Sequence, residues 1–230
     1  MKETRRLNAV SVVEALEEAL AGRILDGDFA AGEYLREVEL SEEYRVGRHT
    51  LRAAFDGLVR HGLLKRTRNR GVFVPVFTPE DLFEIYDLRA ALEVQAFREV
   101  AERGIVPETA REALRRYEEL DERSPRRLLV DTDLAFHNAI VGAADNERLT
   151  RAHAQLQGEI QLCLAQLGPG FATVRELGEQ HAELLAAIDS GRPAVAEAAI
   201  RVHLDRAVSH LRSAAEDDDG APAAEGGSAS

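Results

Sequence analysis

Four helical stripes after Pro79 each carry an ionisable side chain among apolar ones. Leu82, Ile85, Arg89, Leu92 and Ala96 share one face of a predicted helix, and Val130, Leu134, His137 and Val141 share another, with Asp133 one turn before His137. A third stripe is Val174, Leu177, His181, Leu184 and Ile188; a fourth is Ala196, Ala199, Ile200, His203, Ala207, His210 and Leu211. A buried charge is costly unless it is paired or bound to a metal, so the economical arrangement is one in which these groups meet. Asp133 and His137, at i and i+4, can share one ion, and His181 and His203 would complete an Asp-His-His-His set. Imidazole nitrogen and carboxylate oxygen suit divalent zinc, nickel, iron or manganese without choosing among them. Any one of these histidines has an ordinary alternative as a hydrogen-bonded core residue. Arg89 has two readings: an ion pair with Glu93 at i+4, or bidentate capture of a carboxylate or phosphate, hence an effector-binding role. His210 either joins that pocket or lines it, whereas His153 reads as structural and Cys163 as a small buried hydrophobe.

The elements that must position these groups are helices predicted at about 80–103, 107–123, 125–144, 146–167, 172–190 and 193–213. Breakers separate them: Gly104 and Pro107, Ser124-Pro125, Asp145-Asn146, Gly168-Pro169-Gly170, Gly191 and Pro193. No strand pattern follows Pro79. Short connections between long helices favour antiparallel neighbours, so residues 79–213 read as an all-α antiparallel helical bundle. Asn146 is placed to cap the helix after it. Residues 214–230, acidic and nearly without large apolar side chains, read as a disordered tail.

Residues 1–76 read differently. An amphipathic helix from Val10 to Asp26 precedes the stretch LSEEYRVGRHTLRAAFDGLVRHGLLKRTRNRGVFVP, which begins at Leu40. Its spacing predicts a short helix, a tight turn, a second helix over 49–61, and a β-ribbon of Leu63-Leu64-Lys65 and Val72-Phe73-Val74 with an arginine-rich tip. That order is a winged helix-turn-helix, whose second helix enters the DNA major groove. The fold class expected for the chain is therefore mainly α, with an N-terminal winged helix-turn-helix domain. Between Arg45 and Arg70 eight basic residues face one acid, Asp56, whereas residues 77–230 hold 16 Lys and Arg against 29 Asp and Glu. A basic island on an acidic chain points to one anionic partner at one place, with phosphate the obvious candidate.

Composition narrows the classes further. The 45% hydrophobic content is that of a globular chain, and the absence of Trp argues against a base-stacking nucleic-acid surface. One cysteine excludes an internal disulfide framework. No run approaches the roughly 18 apolar residues of a membrane span, and MKETRRLNAV has no signal-peptide core. A cytoplasmic protein with no membrane partner is expected.

The segment LSEEYRVGRHTLRAAF, with GDFAAGEYL before it and Arg70-Gly71 after it, resembles the helix-turn-helix of the GntR superfamily of bacterial regulators. The resemblance puts Arg48 and Arg52 at base- or phosphate-contacting positions and Arg70-Gly71 at the wing tip; His49, Thr50 and Arg68 complete the expected DNA-binding set. Arg45 stands for the usual turn glycine, Gly47 for the capping serine and Ala53 for a glutamate. DTDLAFHNAIVGAADNERL, EQHAELLAAIDSGRPAVAEAAIRVHL and IYDLRAALEVQA are similar to segments of the FadR-type effector domain, the FCD domain. In the metal-binding branch of that family the positions of Asp133, His137, His181 and His203 are ligands. The resemblance implies a non-enzymatic, homodimeric, ligand-responsive transcriptional regulator, in the first instance a repressor. Its partners would be a pseudo-palindromic double-stranded DNA operator, a divalent metal and a small organic acid. A constitutive DNA-binding protein with a structural metal, or a metal-dependent enzyme, are the alternatives. Against the enzyme, no further inward Glu or His stands out from the pattern as a general base.

Overall fold

The structure is a computed structural model that describes the backbone of residues 11–166 and 173–219 and the side chains of 11–165 and 173–209. The chain divides into two compact units, Met1–Val76 with Arg151–Ala165, and Phe77–Thr150 with Gln166–Ser230.

In the first unit, helix α1 (Val12–Leu25) starts at a capping box: Ser11 Oγ accepts from the Glu14 amide while the Glu14 carboxylate accepts from the Ser11 amide. Leu16, Leu20 and Ile24 bury one face against α3 (Arg48–Arg60), which contributes Leu51, Ala54, Phe55 and Leu58. Between them, α2 (Glu37–Glu43) ends in a tight turn in which Arg45 takes φ 52°. The turn is locked by Ser41, whose hydroxyl donates to the Val46 carbonyl at 2.6 Å. Arginine thus occupies a left-handed position where glycine is the unstrained choice. Gly47 is the N-cap of α3 and offers no side-chain acceptor.

The hairpin departs from its predicted register. Strand β1 is Lys65–Thr67 and β2 is Gly71–Phe73, paired antiparallel with Arg66 opposite Val72. Leu63 and Leu64 precede the strand because both are almost fully buried under α3, and their amides bond back to the Leu58 carbonyl instead of to a partner strand. Asn69 and Gly71 at the tip take φ 66° and 96°.

Several helices that start in the second unit begin at side-chain caps. Helix α4 (Pro79–Arg103) has a capping box at Thr78 and Asp81 and ends on left-handed Gly104. Helix α5 (Glu108–Glu119) stops four residues before its predicted end because Leu120 turns extended. The α6 helix (Arg126–Ala143) has its last carbonyls capped by Arg103, whose Nη2 reaches the Ala144 oxygen at 2.7 Å. Helix α7 (Glu147–Gln166) is capped by Asn146, which accepts from the Leu149 amide at 3.1 Å. Helix α8 (Val174–Asp189) opens with a third capping box at Thr173 and Glu176, and α9 spans Pro193–Asp219. In this unit α4 packs on α9 and α6, α5 on α6 and α8, and α8 on α9.

Two predicted boundaries shift. Spacing alone assigns all of α7 to the bundle, yet Arg151–Ala165 clusters with the winged unit. Gly158 makes that possible: a Cβ there would overlap the His61 carbonyl oxygen. Helix α9 also continues through Asp219, past Ala214, where the tail is predicted to begin; Ala214, Ala215 and Glu216 are strong helix formers. The rest of the tail, 220–230, lies outside the described residues.

Candidate functional site

The polar stripes of the second unit converge. Donor atoms of Asp133, His137, His181 and His203 lie within 4.8 Å of one another. Asp133 and His137 come from consecutive turns of α6, His181 from the middle of α8 and His203 from the second turn-pair of α9. The three histidines are buried, while the Asp133 side chain keeps 13% of its exposure. Nε2 of His181 stands 3.3 Å from Nε2 of His137 and 3.2 Å from Oδ1 of Asp133. Aromatic rings wall the cluster: Tyr117 lies 4.8 Å from the His181 ring, and Phe136 meets the same ring edge-on at 4.9 Å.

Neighbouring groups decide which nitrogen of each ring faces inward. His181 Nδ1 is 2.7 Å from the Leu177 carbonyl oxygen. A carbonyl only accepts, so Nδ1 carries the proton and Nε2 presents a lone pair. His137 Nδ1 is 2.7 Å from Glu93 Oε2, which sets the same tautomer there. Two imidazole lone pairs and a carboxylate oxygen therefore point at one small region. Such a set is mutually repulsive by itself and is satisfied by a cation; separations of 3.2 and 3.3 Å are also those expected of adjacent ligands with bonds of about 2.1 Å. The donor set fits a divalent metal.

Electrostatics keep the donors in ligand form. Burial opposes ionisation of Asp133, but His137, His181 and Arg89 together hold its carboxyl well below the usual range. Burial pushes His137 below its ordinary value, with Glu93 pulling the other way. Burial pushes His203 well below its ordinary value, with His181 and His137 adding to the effect. His203 also faces a crevice of about 250 Å³ between α8 and α9, whose mouth includes Glu183 and Arg206.

Arg89 is 2% exposed and satisfies one of its two sequence readings directly: its Nε donates to Glu93 Oε1 at 2.7 Å. Its Nη2 stands 3.5 Å from Asp133 Oδ2 and completes no hydrogen bond. The guanidinium is thus engaged by Glu93 at one end and Asp133 at the other and does not present a free fork. Glu93, fully buried, was legible from sequence only as a partner of Arg89; here it links the arginine to His137, so an inward acid exists that the stripe pattern does not single out. Tyr117 was also missed, although Ala110, Ala113 and Tyr117 mark the inner stripe of α5. His210 has a side chain outside the described residues. His153 is buried in the first unit, its Nδ1 3.1 Å from Gln157 Nε2, and Cys163 is buried as expected.

On the winged unit, Arg48, His49 and Arg52 are exposed on the first two turns of α3, with Thr50 half-buried beside them. Arg68, Arg70 and Gly71 are exposed at the hairpin tip. Two of these arginines are held: Arg52 Nε pairs with Glu37 at 2.9 Å, and the Arg70 guanidinium lies 5.3 Å from the centre of the Tyr34 ring. No helix among the described residues is long and apolar enough to cross a membrane.

Comparison with known proteins agrees with both units. Residues 12–74 match the family described as bacterial regulatory proteins, gntR family, and residues 84–206 match the FCD domain. The chain is 36% identical over 135 residues to the Nta operon transcriptional regulator of Aminobacter aminovorans, covering 58% of this chain and 64% of that one. It is 28% identical over 202 residues, 87% of this chain and 89% of the other, to a protein of Paenarthrobacter nicotinovorans named "Probable D-xylose utilization operon transcriptional repressor". Among solved structures, a GntR transcriptional regulator from Rhodococcus sp. RHA1 superposes with a TM-score of 0.72 at 24% identity, over 87% of this chain and 97% of that one. The E. coli protein McbR/YncC does so with a TM-score of 0.72 at 21% identity, over 89% and 99% of the two chains; these likenesses speak for the fold. The winged helix-turn-helix followed by a matched helical effector domain makes this chain a member of the gntR family of bacterial transcription regulators, in the group that carries an FCD domain.

Proposed function

We propose that the protein is a cytoplasmic, homodimeric repressor whose helical domain, residues 79–213, holds a divalent metal and a small organic acid, and whose winged domain, residues 1–76, releases or grips its operator accordingly. The observation that carries this reading is the pair of imidazole Nε2 atoms 3.3 Å apart, each with an acceptor oxygen 2.7 Å from its Nδ1 and both near the Asp133 carboxylate. Asp133, His137, His181 and His203 would be the ligands. A bound zinc, nickel, iron or manganese ion would act as a Lewis acid for a ligand oxygen. Arg89 on α4 and His210 on α9 would meet the acid's remaining charge.

On DNA, α3 would lie in the major groove with Arg48, His49 and Arg52 toward base edges or nearby phosphates and Thr50 on a phosphate. Arg68, Arg70 and the Gly71 backbone would engage phosphates or the minor groove. Arg52 must leave Glu37 to do so, a small cost because an exposed ion pair contributes about 0–1 kcal/mol. Two such modules in a dimer call for a pseudo-palindromic site. The acid alters DNA affinity only by binding two arrangements of the dimer unequally.

Metal analysis of the purified protein, alongside Asp133→Ala and His181→Ala, tests the reading. About one divalent ion per chain, lost in both variants, together with operator binding that responds to a carboxylic acid, is the expected result. A bound metal whose removal only unfolds the helical domain, with no acid affecting DNA binding, would replace the switch with a structural metal. Turnover of a candidate acid by the metal-loaded protein would instead mark an enzyme.

A further inference from the structure

Three residues other than glycine take positive φ among the described residues: Arg45 at 52°, Asn69 at 66° and Asp145 at 56°. Asparagine and aspartate tolerate that region because their short polar side chains bond to the local backbone; arginine has no such compensation. The turn between α2 and α3 imposes it all the same. The Arg45 amide donates to the Glu42 carbonyl at 3.2 Å, the Val46 amide to the Ser41 carbonyl at 3.1 Å, and Ser41 Oγ to the Val46 carbonyl at 2.6 Å. Glycine would make the same turn without strain. The arginine side chain gives nothing back to the fold: it is exposed and forms no hydrogen bond or ion pair with a described residue. Its neighbour Glu43 is held by Arg23, whereas Arg36, Arg52 and Arg66 of the same unit each have an acid partner. A strained residue persists only where its surroundings over-determine it, and an outlier with no structural return points to function.

We propose that Arg45 is a DNA-binding residue, its guanidinium taking a backbone phosphate of the duplex from the turn that leads into α3. The assignment rests on the DNA-binding reading given above and adds a contact outside the set on α3 and the hairpin tip. Arg45 stands three residues before Arg48, and Arg48, His49 and Arg52 are exposed on the first two turns of the helix that follows. A phosphate suits Arg45 better than a base edge. Its side chain starts from the turn and not from the helix that reads the groove, and the guanidinium fork matches phosphate oxygens. Such a contact adds affinity at every sequence and carries no base preference.

The test titrates full-length wild type, Arg45→Gly and Arg45→Lys with a short DNA duplex of arbitrary sequence at several salt concentrations, since a phosphate contact needs no operator. Arg45→Gly is expected to lower the slope of log affinity against log salt by about 1 per chain and to weaken binding on the order of three- to tenfold. Its denaturant midpoint should equal or exceed that of the wild type, because glycine relieves the left-handed backbone. Arg45→Lys, which keeps the charge, should keep the slope. Slope and affinity both unchanged in Arg45→Gly overturn the assignment. So does a lowered denaturant midpoint in that variant, which would make Arg45 a support of the turn, and so does an equal loss of slope in Arg45→Lys. A wild type without salt-dependent binding refutes the DNA-binding reading itself, whereas normal wild-type binding that Arg45→Gly leaves intact refutes this assignment alone.

Discussion

Replacing Glu93 by glutamine is the sharpest perturbation this site offers. Its two carboxylate oxygens each face one donor at 2.7 Å, Arg89 Nε and His137 Nδ1, and the residue is fully buried. Glutamine has nearly the same shape but one acceptor where two are needed. With its oxygen toward Arg89, its amide donates to His137 Nδ1 and drives the imidazole proton onto Nε2, the atom 3.3 Å from His181 Nε2 that must offer a lone pair. With the amide reversed, two donors oppose each other at Arg89. Second-sphere substitutions that disturb ligand tautomer and orientation cost about 10–100-fold in metal affinity, and that loss is expected here. Removing the charge also leaves Arg89 a buried cation with only Asp133 at 3.5 Å, so the metal-free protein should lose about 3–5 kcal/mol of stability. Chelator competition measures the first quantity and denaturant unfolding of the metal-free protein the second. Metal affinity within twofold of wild type would show that Glu93 does not set the His137 tautomer, and the geometric case for the ion would fall with it.

Other expectations follow from the same structure. His137 and His203 have folded values below the ordinary 6.5, so the unfolded chain takes up protons first as pH falls. Stability of the metal-free protein is therefore full above about 6.5 and declines below it, and Asp133, held below 3.8, adds a further loss under that value. Thermal melts from pH 8 to 5 should show the decline, and a flat profile would contradict it. Arg68→Ala should weaken DNA binding evenly across sequences and lower the salt slope by about 1, whereas Arg52→Ala should cost about 1–3 kcal/mol at the operator and relax discrimination there; binding isotherms at several salt concentrations separate the two. Gly158→Ala places a methyl group on the His61 carbonyl, and overpacking of that kind should cost about 1–3 kcal/mol, read by denaturant unfolding of the full chain.

Much of this molecule is visible in local spacing. Thr78 and Asn146 announce their helices because a cap acts on amides two or three residues away, and Gly104 ends α4 because left-handed backbone suits glycine. The inward positions of Arg89, Asp133, His137, His181 and His203 follow from a period of 3.6, and the basic island from counting charges. The hairpin register does not: Leu63 and Leu64 have strand-like side chains, but burial beneath α3 outweighs that preference. Nor does the placement of Arg151–Ala165, which hangs on one glycine meeting a backbone oxygen some hundred residues earlier in the chain. The chemistry of the cluster is decided the same way. Sequence determined that four ligand-type side chains turn inward; only tertiary structure decided that Glu93 spans Arg89 and His137, that Arg52 is held by Glu37, and that the Tyr117 ring packs on that of His181. Periodicity reports which way a side chain points, but hydrogen bonds depend on atoms within about 3 Å, and those atoms come from helices whose meeting no local pattern records.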